Sequence, residues 1–297
     1  MSLTALRDLV ARLNLSAGAL AALGAAIDCQ ASGKALDPAI QPHVDAVVDA
    51  LGARELMAGL SAAELQPVLA EIRLTVLQGV GLLYAETRGS GWAHTDPHVL
   101  EAAGETSAGF AVALKGQIAP RLTGLCERLE AGGAFLDVGV GVAGLSIAMA
   151  RLWPSLRVVG IDRWAPSLNI ARESVRANAL AERIELRQQT AEELLDVDAF
   201  DLAWVPTAFI PDGAVPVIIE RVHRALRPGG WILLASVNPG SDPLAGSFAR
   251  LRTANFGGAL FSSTDVQLIL NRAGFVDVQI LPGPPSAPVA MIAGRRA

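Results

Sequence analysis

The stretch that most constrains this chain is Phe135–Leu145, FLDVGVGVAGL, followed by the apolar run Leu156–Ile161 that ends at Asp162. It reads as a buried strand, a glycine turn, a helix start and a second strand with a carboxylate at its tip. Gly139, Gly141 and Gly144 allow a tight turn in which a ligand can lie against main-chain N–H groups at a helix N-terminus. An acid at the tip of the next strand is placed to hold two ribose hydroxyls. Gly139-x-Gly141-x-x-Gly144 also fits the dinucleotide fingerprint by spacing, so the surroundings must identify the ligand.

From about residue 130 onward strands and helices alternate. The apolar runs predict strands at Ala134–Val138, Arg157–Ile161, Ile184–Gln188, Leu202–Val205, Trp231–Ser236, Val276–Leu281 and Val289–Ala293. Helices fit between them at Leu145–Leu152, Ser167–Ala177, Ala191–Leu195, Ala214–Leu226 and Thr264–Ala273. This alternation implies an α/β fold with a Rossmann-like, seven-stranded, mostly parallel sheet covered on both faces. Pro282–Pro288 is too short for a crossover helix, so the last two strands form an antiparallel C-terminal hairpin.

Residues 1–85 carry only helical patterns, with Leu3, Leu6, Val10 and Leu13 on one face and Val44, Val47, Val48 and Leu51 on another. Asp37-Pro38 and Ser61 read as helix starts, the latter with Glu64 as a capping box; Ser32-Gly33-Lys34 and Gly89-Ser90-Gly91 read as breaks. The expected division is an all-helical N-terminal domain over 1–85, serving as lid or homodimer contact. A connecting segment over 86–130 folds over the cofactor, and the cofactor-binding domain occupies 131–297.

Composition bounds the partners. The formal charge of −5 over 297 residues gives no reason to invoke nucleic acid or an anionic membrane surface. Cys29 and Cys126 stand alone, so no metal site is expected and a reducing compartment is. The uncharged stretch Leu15–Ile27 is too short to span a bilayer and the N-terminus lacks a signal-peptide layout, so a cytoplasmic location is expected.

Four features separate the possible ligands. Asp137 precedes the first glycine by two residues, where it would repel a pyrophosphate and attract a cation. Arg227-Pro228-Gly229-Gly230 forms a turn before the fifth strand, the chain ends in a hairpin, and Gln189-Thr190-Ala191-Glu192 follows the third strand. Over residues 130–297 this set resembles the class I S-adenosylmethionine-dependent methyltransferases. The family usually has glycine where this chain has Ala143. The resemblance implies S-adenosylmethionine as cofactor, with Asp162 on the ribose and Asp137, Gly139 and Gly141 against the methionine end. It further implies Arg163 and Trp164 flanking the adenine, Thr190, Ala191 and Glu192 at its edge, and Pro206 nearby. A cofactor-binding protein that does not methylate and an NAD-dependent oxidoreductase are the alternatives.

Methyl transfer from a sulfonium is an in-line displacement, so positioning supplies much of the catalysis, about 7–11 kcal/mol. A base adds about 10²–10⁴-fold only where the acceptor loses a proton. Val205-Pro206-Thr207-Ala208-Phe209 lacks the Asn/Asp-Pro-Pro-Tyr/Phe motif of adenine and glutamine N-methyltransferases, which disfavours nucleic-acid bases. His223 lies inside a later helix and reads as a packing residue. The candidate bases are therefore His94 and His98, in a segment that could also be a solvated loop with incidental histidines, with Tyr84 as the alternative. Trp92, Phe110, Pro206, Phe209, Ile210 and Asn238 would form an acceptor wall, apolar with few polar points, suited to a small, partly hydrophobic molecule such as an aromatic secondary metabolite.

Overall fold

The computed structural model describes residues 3–84, 92–237, 242–282 and 289–297, with the Tyr84 side chain outside that set. The chain separates into two compact units, Met1–Glu86 with Pro97–Gly109, and Thr87–Asp96 with Phe110–Ala297. The expected connecting segment is thus divided between them, and α5 (Pro97–Ala113) begins in the first and ends in the second.

The first unit is helical: α1 (Leu3–Ser32), α2 (Gln41–Ala50), α3 (Ala53–Met57), α4 (Ala62–Tyr84) and most of α5. Ile27, Val48, Met57, Leu65 and Leu69 form its core. Gly24 lets α1 approach α4, since a Cβ there would stand 3.0 Å from Ile72, and Gly109 of α5 lies as closely on Pro67 of α4. The predicted break after Ser32 and the Ser61–Glu64 box are present: the Ser61 N–H donates to Glu64 Oε2 at 2.8 Å. Asp37-Pro38 starts a turn rather than a helix, and α2 begins at Gln41. Leu3, Leu6, Val10 and Leu13 do share a face of α1, but that face is open. The stretch Leu15–Ile27 belongs to this 30-residue helix, which by length and composition alone is long and apolar enough to cross a membrane. Core helices and signal sequences meet the same criterion.

The second unit holds the seven-stranded sheet, β1 (Ala134–Val138), β2 (Arg157–Asp162), β3 (Ile184–Gln188), β4 (Phe200–Pro206), β5 (Leu226–Val237), β6 (Phe275–Leu281) and β7 (Val289–Arg296). The order is β3-β2-β1-β4-β5-β7-β6, with β7 antiparallel to both its neighbours. Two apolar clusters cover its faces, one around Phe135, Leu202 and Trp231, the other around Leu136, Phe200 and Ile232. After α6 (Leu125–Glu130), the helices α7 (Gly144–Leu152), α8 (Ala165–Ala177) and α9 (Val215–Ala225) follow β1, β2 and β4, and α10 (Pro243–Phe256) and α11 (Ser263–Arg272) both lie between β5 and β6, while the helix expected at Ala191–Leu195 is only a 3-10 turn, Ala191–Glu193. α9 shows the physical reason for such helices, burying Val215, Ile218, Ile219, Val222 and Ala225 along one stripe. Strand order reverses between β2-β1 and β1-β4, so a crevice opens beyond the carboxyl ends of β1, β2 and β4.

Arg227-Pro228-Gly229-Gly230 is not a turn preceding β5 but the first part of it. The pairing with β4 shifts register between Phe200 and Leu202, and Gly229 sits at φ +78. At this end of the sheet, away from the crevice, buried Asp201 holds the motif. It accepts from Ala134 N–H at 2.9 Å, from Arg128 Nη1 at 3.2 Å and from Arg227 Nη1, while Arg128 Nη2 donates to the Pro228 carbonyl. Removing one side of a buried ion pair costs several kcal/mol, less where the cations are part-exposed as here. Asp201→Ala should therefore lower the unfolding free energy by about 3 kcal/mol in urea titration. A loss under 1 kcal/mol would mean that solvent replaces the carboxylate.

Candidate functional site

The glycine turn sits where β1 runs into α7. Gly139 and Gly141 take φ +70 and +56, conformations that a side chain would strain. The Gly139 and Val140 N–H groups both donate to the Ile161 carbonyl, at 2.8 and 3.0 Å, and Gly141 N–H donates to Asp162 Oδ2 at 2.9 Å. These N–H groups therefore bind the turn to β2 rather than standing ready for a ligand. Gly160 makes the close approach possible, since a Cβ on it would lie 2.6 Å from Val140. Ala143, where the resembled family has glycine, is held at φ +67 as the N-cap of α7. Its fully buried methyl offsets part of a left-handed penalty of about 1–2 kcal/mol.

Two carboxylates face the turn. Asp137, on β1, is buried, and its Oδ2 accepts from Ser146 Oγ of α7 at 2.7 Å. Burial first, with the neighbouring Asp162 adding repulsion, pushes its pKa up to about 7 despite the Ser146 hydrogen bonds. Asp162 is part-exposed at the end of β2. Its pKa is raised by burial, against the pull of N–H donors from Trp164 at 2.8 Å and from Gly141. A carboxylate has about four lone-pair positions, so Asp162 keeps acceptor capacity beyond these main-chain donors.

Trp164 is half-buried and Arg163 exposed, both directly following Asp162. Thr190 caps the short 3-10 turn Ala191–Glu193 reciprocally with Glu193; Ala191 is buried and Glu192 is exposed. Pro206 ends β4 against the glycine turn, with its Cγ 3.9 Å from where a Gly139 Cβ would be.

Next to the crevice the second unit brings four rings together. Trp92 meets Phe209 edge-on at 5.1 Å, Phe256 at 5.3 Å and His94 at 4.6 Å, and Phe209 stacks on Phe256 at 4.5 Å. The Trp164 indole N–H donates to the His94 carbonyl at 2.7 Å. Three expected wall residues stand elsewhere or are not described. Ile210 turns into the core cluster under α9, because the 3-10 turn Thr207–Phe209 reverses the chain after β4. Phe110 packs on Trp204 of β4 at 4.7 Å, within the core periphery. Asn238 lies outside the described residues. Phe256 was missed, together with the helix that carries it.

Of the candidate bases, His94 stands in this cluster. His98 is on α5 in the first unit, lining a cleft with Arg73, Glu101 and Glu105. Tyr84 ends α4. His223 is a packing residue as expected, edge-on to Phe275 at 4.8 Å. Among the described residues no group of His, Cys, Asp and Glu could hold a metal ion.

The site fits an adenosyl donor with a positive charge. A positive-φ turn, an acid with spare acceptor capacity at the neighbouring strand tip, and a second, buried acid with no cationic partner among the described residues suit such a ligand. Known proteins agree. Residues 135–230 match the family described as a methyltransferase domain. The ubiquinone/menaquinone biosynthesis C-methyltransferase of Syntrophotalea carbinolica is 30% identical over 133 residues, 44% of this chain and 55% of that protein. The chain spans about half the length of such curated relatives. Among solved structures, the pyocyanin biosynthetic protein PhzM aligns over 100% of both chains with TM-score 0.64 and 17% identity. Human N-acetylserotonin methyltransferase, solved with S-adenosylmethionine, aligns over 98% of this chain and 97% of its own, with TM-score 0.60 and 14% identity. At these identities the structural likeness carries the fold.

Proposed function

We propose that this chain, which carries a class I S-adenosylmethionine-dependent methyltransferase domain, methylates a small, largely apolar acceptor held against the Trp92–Phe209–Phe256 wall. The observation that carries the reading is the pair of acids, Asp137 and Asp162, at the carboxyl ends of adjacent strands around the bare glycine turn. A pyrophosphate there would be repelled by Asp137, which lies beside the turn, whereas a cationic donor relieves the repulsion between the two acids. The neighbours named above as methyltransferases support the reaction class.

When bound, S-adenosylmethionine supplies a methyl group on a sulfonium, open to in-line displacement. Asp162 would hold the ribose hydroxyls, and Asp137 would set the favourable potential for positive charge. The ring cluster excludes water and offers flat apolar surface, which suits orientation of a small molecule better than binding of a charged polymer. His94, in the same cluster, is the residue we assign to receive a proton where the acceptor is a hydroxyl.

Asp137 gives the test a sign. Its proton is held in the free protein below about pH 7, because burial raises the folded-state value above the ordinary 3.8. This contribution to stability is present at low pH and lost as pH rises from about 4 to about 7. A cationic ligand favours the ionised form, so binding releases that proton. S-adenosylmethionine affinity should therefore fall up to about tenfold per pH unit below 7 and level off above it. Isothermal titration from pH 5.5 to 8 reads the slope, and Asp137→Asn should flatten it. An unchanged slope in that variant would assign the proton to another group. A thermal shift with NAD and none with S-adenosylhomocysteine would overturn the cofactor reading itself.

A further inference from the structure

The segment Trp92–Asp96 has neither helix nor strand to fix it, yet it supplies the centre of the aromatic wall. Side-chain contacts at Trp92 and at His94 tie it into the second unit. At one end the Trp92 ring is set among Phe209 and Phe256. Two residues on, the His94 carbonyl takes the indole N–H of Trp164 at 2.7 Å. Trp164 is in turn fixed to Asp162, whose Oδ1 accepts its main-chain N–H at 2.8 Å. A continuous path of contacts therefore runs from the ribose acid through Trp164 and the 92–94 backbone to the acceptor wall. No phenylalanine or leucine could make the middle link, because it needs an aromatic ring with a donor at its far edge.

We propose that Trp164 is a positioning residue that couples the two ends of the site: cofactor binding orders the 92–96 segment through the indole–carbonyl bond, and thereby completes the acceptor wall. This rests on the reading above, in which Trp164 flanks the adenine. A ring held by the adenine loses rotamer freedom, and its hydrogen bond to His94 is then made more of the time. By linkage an acceptor seated on Trp92 strengthens cofactor binding by the same factor. The enzyme would therefore assemble its acceptor wall after the donor is in place, which guards the reactive methyl group against water.

Trp164→Phe keeps an aromatic ring and removes the N–H donor together with the five-membered ring that carries it. Amide hydrogen exchange, read on the peptide containing residues 92–96, tests the link directly. Without ligand, the variant should exchange there about 3–10-fold faster than wild type, the span of one net hydrogen bond. Its melting temperature should fall by no more than about 5 °C and the exchange of β1 and β4 should remain unchanged, which a general loss of packing would not give. Adding saturating S-adenosylhomocysteine should slow exchange at 92–96 in wild type and leave the variant's rate unaltered. Equal exchange in the two free proteins would overturn the link. Wild-type binding of S-adenosylhomocysteine with no slowing at 92–96 would overturn the coupling while keeping the cofactor reading. Absence of any binding heat in wild type would overturn the cofactor reading, with the ligand-free comparison still deciding whether the Trp164–His94 bond exists.

Discussion

Asp162→Ala is expected to weaken S-adenosylhomocysteine binding by at least about 100-fold. Hydrogen bonds to a charged group are worth about 1.5–3 kcal/mol each, and two ribose hydroxyls would lose their acceptor together. A 100-fold change is about 2.8 kcal/mol, the lower end of that sum. The side chain also organises the protein's own part of the site. Gly141 N–H and Trp164 N–H both lose their acceptor in the variant, so the glycine turn is expected to loosen as well. Asp162→Asn separates the two effects, because its carbonyl oxygen can keep one N–H in place while the negative charge is gone. A tenfold loss for Asn and a hundredfold or greater loss for Ala is the expected order, read by titration calorimetry on proteins with matched circular dichroism. Affinity within threefold of wild type in the alanine variant would mean that the ribose lies elsewhere.

Much of this site was legible because the sheet is parallel and buried. Strands covered on both faces must be continuously apolar, which is why the predicted β1 and β2 match the structure to within a residue, while β3, IELRQ at the sheet edge, matches through its alternating Ile184 and Leu186. The turn between β1 and α7 announces itself through glycines whose positive φ other residues avoid, and the acids at strand tips stand out against apolar runs. The antiparallel end of the sheet followed from a connection too short for a helix.

What escaped has physical reasons too. The face that α10 buries is built of Gly246, Ala249, Thr253 and Phe256, so its spacing is helical while its residues carry little hydrophobic contrast. The signal that could have found it is Asp242 before Pro243, an N-cap whose side chain accepts from the Leu244 N–H at 2.8 Å. Missing the helix meant missing Phe256. Asp201 gave no local sign, because its partners Arg128 and Arg227 are distant in sequence. Ile210 was misplaced since a residue just beyond a strand tip can face either crevice or core, and the 3-10 turn decided for the core.

The second large effect is expected at Gly258, which lies just past α10 and touches nothing catalytic. A Cβ there would stand 1.8 Å from the Ala208 carbonyl oxygen and 2.0 Å from its carbon. The obstacle is backbone on both sides, so no flexible side chain can give way. Nor can the turn carrying Ala208 easily retreat. The Ala259 N–H binds the carbonyls of Thr207 at 3.1 Å and Ile210 at 2.8 Å, and the Thr207 hydroxyl donates to the Ala235 carbonyl of β5. Overpacking usually costs about 1–3 kcal/mol, and a backbone clash of this depth belongs at or beyond the upper end. Gly258→Ala should therefore lower unfolding stability by about 3 kcal/mol or more in urea. Gly213→Ala, with nothing within 4 Å of its new methyl, should stay within about 0.5 kcal/mol. The functional consequence follows from which elements must part. Phe256 rides on α10 and Phe209 on the turn, so their 4.5 Å stack opens, and Trp92 loses its contact with one or the other. Exchange at residues 92–96 should then rise in Gly258→Ala even under conditions where the variant is fully folded. A variant as stable as wild type, with the 92–96 amides equally protected, would show that α10 and the turn after β4 move apart freely and that the aromatic wall does not depend on their contact.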